Sequence, residues 1–61
     1  MNFENIEQVL VFFNTGIGGI ALENITNIEE DSGVIRIEQS DGATHHLLCE
    51  ELDKITIKFR R

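Results

Sequence analysis

Lysine and arginine are absent from the first 35 residues of this 61-residue chain, and only five occur in all. Arg36 is the first. Lys54, Lys58, Arg60 and Arg61 crowd into the last eight positions. Against eleven acids, the result is a formal charge of −6 and a pI near 4.6. That balance excludes the electrostatic footprint expected of a nucleic-acid or anionic-membrane binder. There is one cysteine, Cys49, so no intrachain disulfide can form, and a lone thiol fits a reducing compartment. Proline is absent, and no internal repeat, low-complexity run or linker divides the chain. The apolar run Val9–Phe13 is far short of the roughly 20 residues that span a bilayer. The start has no basic region, so no secretory signal is expected. The expected location is therefore cytoplasmic, in the bacterial host cell if the chain is phage-encoded. The sequon Asn24-Ile25-Thr26 carries no weight in that setting.

What is present is a globular composition, 41% hydrophobic. A domain of this size buries only about 60% of its unfolded surface and is marginal alone. Disulfide and metal support being unavailable, self-association is the expected remedy, and a symmetric homodimer is its commonest form.

Val34–Leu48 is the most legible stretch. Val34, Ile35 and Ile37 suit a half-buried strand. Asp41-Gly42 signals a two-residue type I′ turn. With that turn, Ile37 faces His46, Arg36 faces Leu47 and Ile35 faces Leu48. One face then holds Ile35, Ile37, His46 and Leu48; the other holds Val34, Arg36, Glu38, His45, Leu47 and Cys49. A three-residue loop with a bulge would change these pairs.

Upstream, Phe3, Ile6, Val9, Leu10 and Phe13 fall on one helical stripe. Asn2 is placed to cap it, and Glu4 and Glu7 suit its first turns. A helix is expected over residues 1–15, with Val11 and Phe12 off the stripe and in need of other cover; the alternative is a strand, to which the run Val9–Phe13 is suited. Residues 16–19 read as a glycine hinge. Residues 20–61 read as a β-meander: a short strand at Ile20–Leu22, a tight turn at Glu23–Asn24, a strand over Thr26–Glu30, the hairpin, a turn at Cys49–Lys54, and a last strand at Ile55–Phe59. The expected class is α+β, one helix on an antiparallel sheet of four or five strands in a single domain.

Motifs of chemistry are weak. Gly16-Ile17-Gly18-Gly19-Ile20-Ala21 has the letters of a dinucleotide fingerprint, but no helix of useful length follows. His45 and His46 point to opposite sides of a strand. His45 and Cys49 share a side about 13 Å apart, too far for one metal ion or for a direct nucleophile–base hydrogen bond. The acids at residues 29–31 and 50–53 read as solvated turns. No enzyme, metal or cofactor is expected.

Residues 20–54 resemble the first half of a LytTR-type DNA-binding domain, on Leu22, Ile25, Ile28 and Glu29, an alternating strand, the Asp41-Gly42 hairpin and a turn bearing Leu52. The resemblance implies a β architecture. DNA contacts in that family come largely from a later basic half that has no counterpart here, so DNA binding is not carried over. By size and acidity the chain also resembles small phage-encoded inhibitors of bacterial defence systems.

The expected function is a non-catalytic protein–protein interaction module, a small homodimeric inhibitor of anti-defence type. The alternatives are a regulatory fragment of LytTR type and a small-ligand-sequestering module. Val11, Phe12, Val34, Leu47 and Cys49 are the expected dimer interface, because the two-faced hairpin leaves one apolar face uncovered. Glu23, Glu29, Glu30 and Asp31 are the expected acidic patch for a partner, with a basic surface as its complement.

Overall fold

Ile6–Phe13 forms a β-strand (β1), not a helix, in the computed structural model, which describes residues 3–16 and 18–61. Among the described residues, the only helical turns are two three-residue 3₁₀ turns, Phe3–Asn5 and Cys49–Glu51. The expected α+β class is therefore corrected to all-β. The reason lies in β1 itself. Val9 and Val11 are fully buried on one side, while Leu10 and Phe12 turn to the other and stay half-buried. Irregular register between Ile6 and Gln8 brings Ile6 to the buried side as well. That bulge changes the alternation and creates the three-residue spacing from Ile6 to Val9 that mimics a helix. Asn2, the expected cap, and Ile17, within the glycine run, lie outside the described residues.

Five further strands follow: β2 (Gly19–Leu22), β3 (Ile25–Asp31), β4 (Val34–Gln39), β5 (Thr44–Leu48) and β6 (Leu52–Phe59). They make two antiparallel sheets of three, in the orders β2-β1-β6 and β3-β4-β5. The strands of residues 20–61 do not form one sheet: β2 and β6 lie in the first and β3, β4 and β5 in the second. β1 inserts between β2 and β6. Gly19 makes part of this pairing possible, because a Cβ there would sit 2.3 Å from the Val11 carbonyl oxygen and 3.3 Å from Phe12 Cδ1.

The buried side chains come from both sheets: Ile6, Val9, Val11 and Leu22 from one, Ile25, Ile37 and Leu47 from the other. No polar side chain among the described residues is buried. Each fully buried aliphatic contributes about 1.5–3 kcal/mol through removal from water. The chain crosses between sheets at Asn24, whose φ of 57° turns the corner. That corner is held by Ser40 N donating to Asn24 O at 2.9 Å and by Gln39 Nε2 donating to Glu23 O at 2.8 Å. At the other crossing, Asn14 donates to two carbonyls of the Cys49–Glu51 turn, through its amide to Glu51 O at 3.0 Å and its Nδ2 to Glu50 O at 2.8 Å.

Candidate interaction faces

The type I′ turn occurs in sheet B (β3-β4-β5), but at a different hairpin. Ser32 and Gly33 have φ of 53° and 82°, and Asp31 pairs with Val34 across them. At Asp41-Gly42 only Gly42 has positive φ, 92°. Gly42 N donates to Gln39 O at 3.0 Å, and Gln39 N donates to Ala43 O at 2.9 Å. The loop is therefore the three-residue kind, with Gly42 at its left-handed position.

The consequence is a one-residue slip from the expected register. Ile35 faces Leu47, Arg36 faces His46, Ile37 faces His45 and Val34 faces Leu48. Such a slip exchanges the faces of a whole strand. Leu47 joins Ile35 and Ile37 toward the core, and Leu48 turns outward with 43% exposure. Both faces of the hairpin still carry apolar residues, but their membership changes: Ile35, Ile37 and Leu47 lie on the inner face, Val34 and Leu48 on the outer. Of the five residues expected at a dimer interface, Val11 and Leu47 are buried within one chain, Phe12 and Val34 are half-buried on different sheets, and Cys49 is exposed.

The outer face of sheet B is a small grid of side chains. Its rows are Asn27–Glu38–Thr44, Glu29–Arg36–His46 and Asp31–Val34–Leu48. Arg36 donates to Glu29 Oε2, and Asn27 Nδ2 donates to Glu29 Oε1 at 3.0 Å and to Glu38 Oε1 at 2.9 Å. Arg36 Nε is enclosed without a partner among the described residues. Two shallow depressions meet at Val34. One, of about 250 Å³, is lined by Glu29, Asp31, Val34, Arg36 and His46. The other, of about 380 Å³, runs past Gly33, Leu48, Cys49 and Glu50. Apolar Val34 and Leu48 thus sit together inside a mainly acidic ring.

The expected acidic patch is only partly assembled. Glu23 lies beyond the opposite end of β3 from Asp31, roughly 20–25 Å away by strand length. Glu29 and Asp31 share the outer face. Glu30 points to the other side and caps the adjacent turn, accepting Gly33 N at 3.0 Å.

The histidines part as expected for neighbours on a strand. His46 is exposed on the outer face, and His45 is half-buried. His45 Nε2 lies 2.7 Å from Gln39 Oε1. Because Gln39 Nε2 is already donating to Glu23 O, its oxygen must accept, and His45 carries a proton on Nε2. This chain ties β5 to the corner. Cys49 belongs to the 3₁₀ turn that follows β5. Gly19 to Ala21 belong to β2, so among the described residues a strand, not a helix, follows the glycines.

The outer face of sheet A (β2-β1-β6) has the opposite character. Leu10 and Phe12 lie at its centre, paired with Ala21 and Thr56 and with Gly19 and Lys54. Lys54 Nζ stands 5.1 Å from the centre of the Phe12 ring, and Lys58 lies further along the same side of β6. Lys58 Nζ approaches Glu7 Oε2 at 3.5 Å. Reasoning from sequence missed Leu48 and His46 as surface neighbours; the signal that separates them from Leu47 and His45 is the length of the Asp41-Gly42 loop. Comparison with known families, with curated proteins and with solved structures finds no match for this chain.

Proposed function

We propose that the protein is a non-catalytic binding module that acts by covering a surface of another protein, as a small inhibitor does. The outer face of sheet B around Val34 and Leu48 is its docking surface. The observation that carries this reading is the exposed Leu48 beside Val34, set in shallow depressions and ringed by Glu29, Asp31, Arg36, His46 and Glu50. An apolar centre inside a polar rim is the usual anatomy of a protein interface. The acidic rim favours a partner with basic residues around an apolar protrusion.

The test is affinity capture from a bacterial lysate with the wild-type chain and with Leu48→Asp, followed by mass spectrometry. Leu48 is exposed, so the substitution leaves the core intact. The expected result is a protein enriched by wild type and lost with the variant. Equal enrichment by both chains would remove the sheet B face from the reading, and no enrichment by either would remove the reading itself.

A further inference from the structure

The acidic and basic halves of this sequence do not neutralise each other within one chain. Arg36 pairs with Glu29 and Lys58 with Glu7, each within its own sheet. Folding instead sorts the charges by face. The outer face of sheet B carries Glu29, Asp31 and Glu38 against Arg36. The outer face of sheet A carries Lys54 and Lys58, with Glu7 beside Lys58. The inner sides of both sheets meet in one core, so these outer faces point away from each other. Each carries an apolar pair, Val34 and Leu48 at the turn end of sheet B and Leu10 and Phe12 at the centre of sheet A.

We infer that the sheet A face of one copy docks on the sheet B face of a second copy, a head-to-tail contact. The inference rests on the reading of the sheet B face as a docking surface and gives that face a second occupant, another copy of this chain, which a foreign partner displaces on binding. The two faces lie on opposite sides, so a twofold axis cannot satisfy both at once. The contact is heterologous, and it extends unless its rotation closes a ring. The net charge of −6 opposes association, but over a longer range. The smallest dimension of the molecule is 20 Å. Stacked centres are therefore separated by more than twice the roughly 8 Å screening length of physiological salt. The lysines and carboxylates of the contact fall within that length.

Sedimentation equilibrium over a concentration series tests this, with thermal unfolding to show that each variant is folded. Wild type is expected to grow in mass with concentration beyond a dimer or to a closed ring. Lys54→Glu with Lys58→Glu makes both faces acidic, and Glu29→Lys with Asp31→Lys makes both basic. Each double variant alone is expected to lose association by roughly a hundredfold, the effect of placing like charges in contact. Mixing the two is expected to restore it. If a reversed chain fails to fold, Lys54→Gln with Lys58→Gln and Glu29→Gln with Asp31→Asn give the same comparison with smaller losses.

A wild-type chain that stays monomeric at millimolar concentration overturns the inference. So does association that survives reversal of either face, which would mark a twofold contact through one face alone. These outcomes leave capture of another protein by the sheet B face untouched, so failure here is distinguishable from failure of the proposed function.

Discussion

The Asp41 carboxylate accepts the Ala43 amide at 2.9 Å, and Asp41 itself keeps a negative φ. With Gly42 alone taking the left-handed position, the loop gains a residue and β5 moves by one. The length of the loop thus decides whether Leu47 or Leu48 enters the core, and the Asx contact of Asp41 accompanies the three-residue form. The Asp-Gly pair was legible as a turn, but its type was not. Both loop lengths use the same two letters, and they differ in whether Asp41 takes a positive φ beside Gly42. Gly19 is the second residue on which local geometry depends. Alanine there places a methyl against the Val11 carbonyl, at a distance no relaxation of a flexible side chain can relieve. We expect Gly19→Ala to cost about 1–3 kcal/mol, the range for overpacking, read as a lower urea midpoint with an unchanged slope. A midpoint equal to wild type would contradict the close pairing of β2 with β1.

At the scale of elements, β1 separates the expected helix from the observed strand in a way that substitution can read. Helical placement puts Leu10 on the apolar stripe and Val11 off it. Strand placement buries Val11 completely and leaves Leu10 half-covered on the outer face. Val11→Asp is therefore expected to cost about 3–5 kcal/mol, as an unpaired charge in an apolar core does. That removes most of the stability of a domain near the low end of about 5–15 kcal/mol. Leu10→Asp is expected to cost about 1 kcal/mol and leave the β-rich circular dichroism spectrum intact. The reverse order would restore the helix. The later strands were legible to within a few residues because Ile, Thr and Val alternate with polar residues between strong turn signals. β1 was not, because its bulge at Glu7 disturbs the alternation on which such reading depends.

For the whole molecule, the division into two sheets could not be read from the chain. Element order is compatible with one meander, and only the pairing of β1 with β6 reveals the second sheet. That pairing joins residues 6 and 59 and leaves no local trace in sequence. The charge asymmetry along the chain was legible; its conversion into two opposed faces required the register of every strand. If copies stack through those faces, association stabilises the folded state by mass action. The midpoint of thermal unfolding is then expected to climb by several degrees between micromolar and millimolar protein, given about 4–8 °C per kcal/mol for a chain of this size. A midpoint independent of concentration would show that folding draws nothing from a second copy.

The split origin of sheet A also bears on how the chain survives its own synthesis. Sheet B comes from one uninterrupted stretch, residues 25–48, and can complete its hydrogen bonding as soon as that stretch is clear of the ribosome. β1 is made early but waits for β6. Until Leu52–Phe59 emerges, β1 has β2 on one side and a bare row of backbone donors and acceptors on the other. Val9 and Val11 meanwhile lack the cover that Ile55 and Ile57 of β6 add. A nascent chain in that state presents an apolar edge of the kind that recruits foreign strands. The partly folded state with sheet B formed and Leu52–Phe59 unpaired is thus the one most open to aggregation.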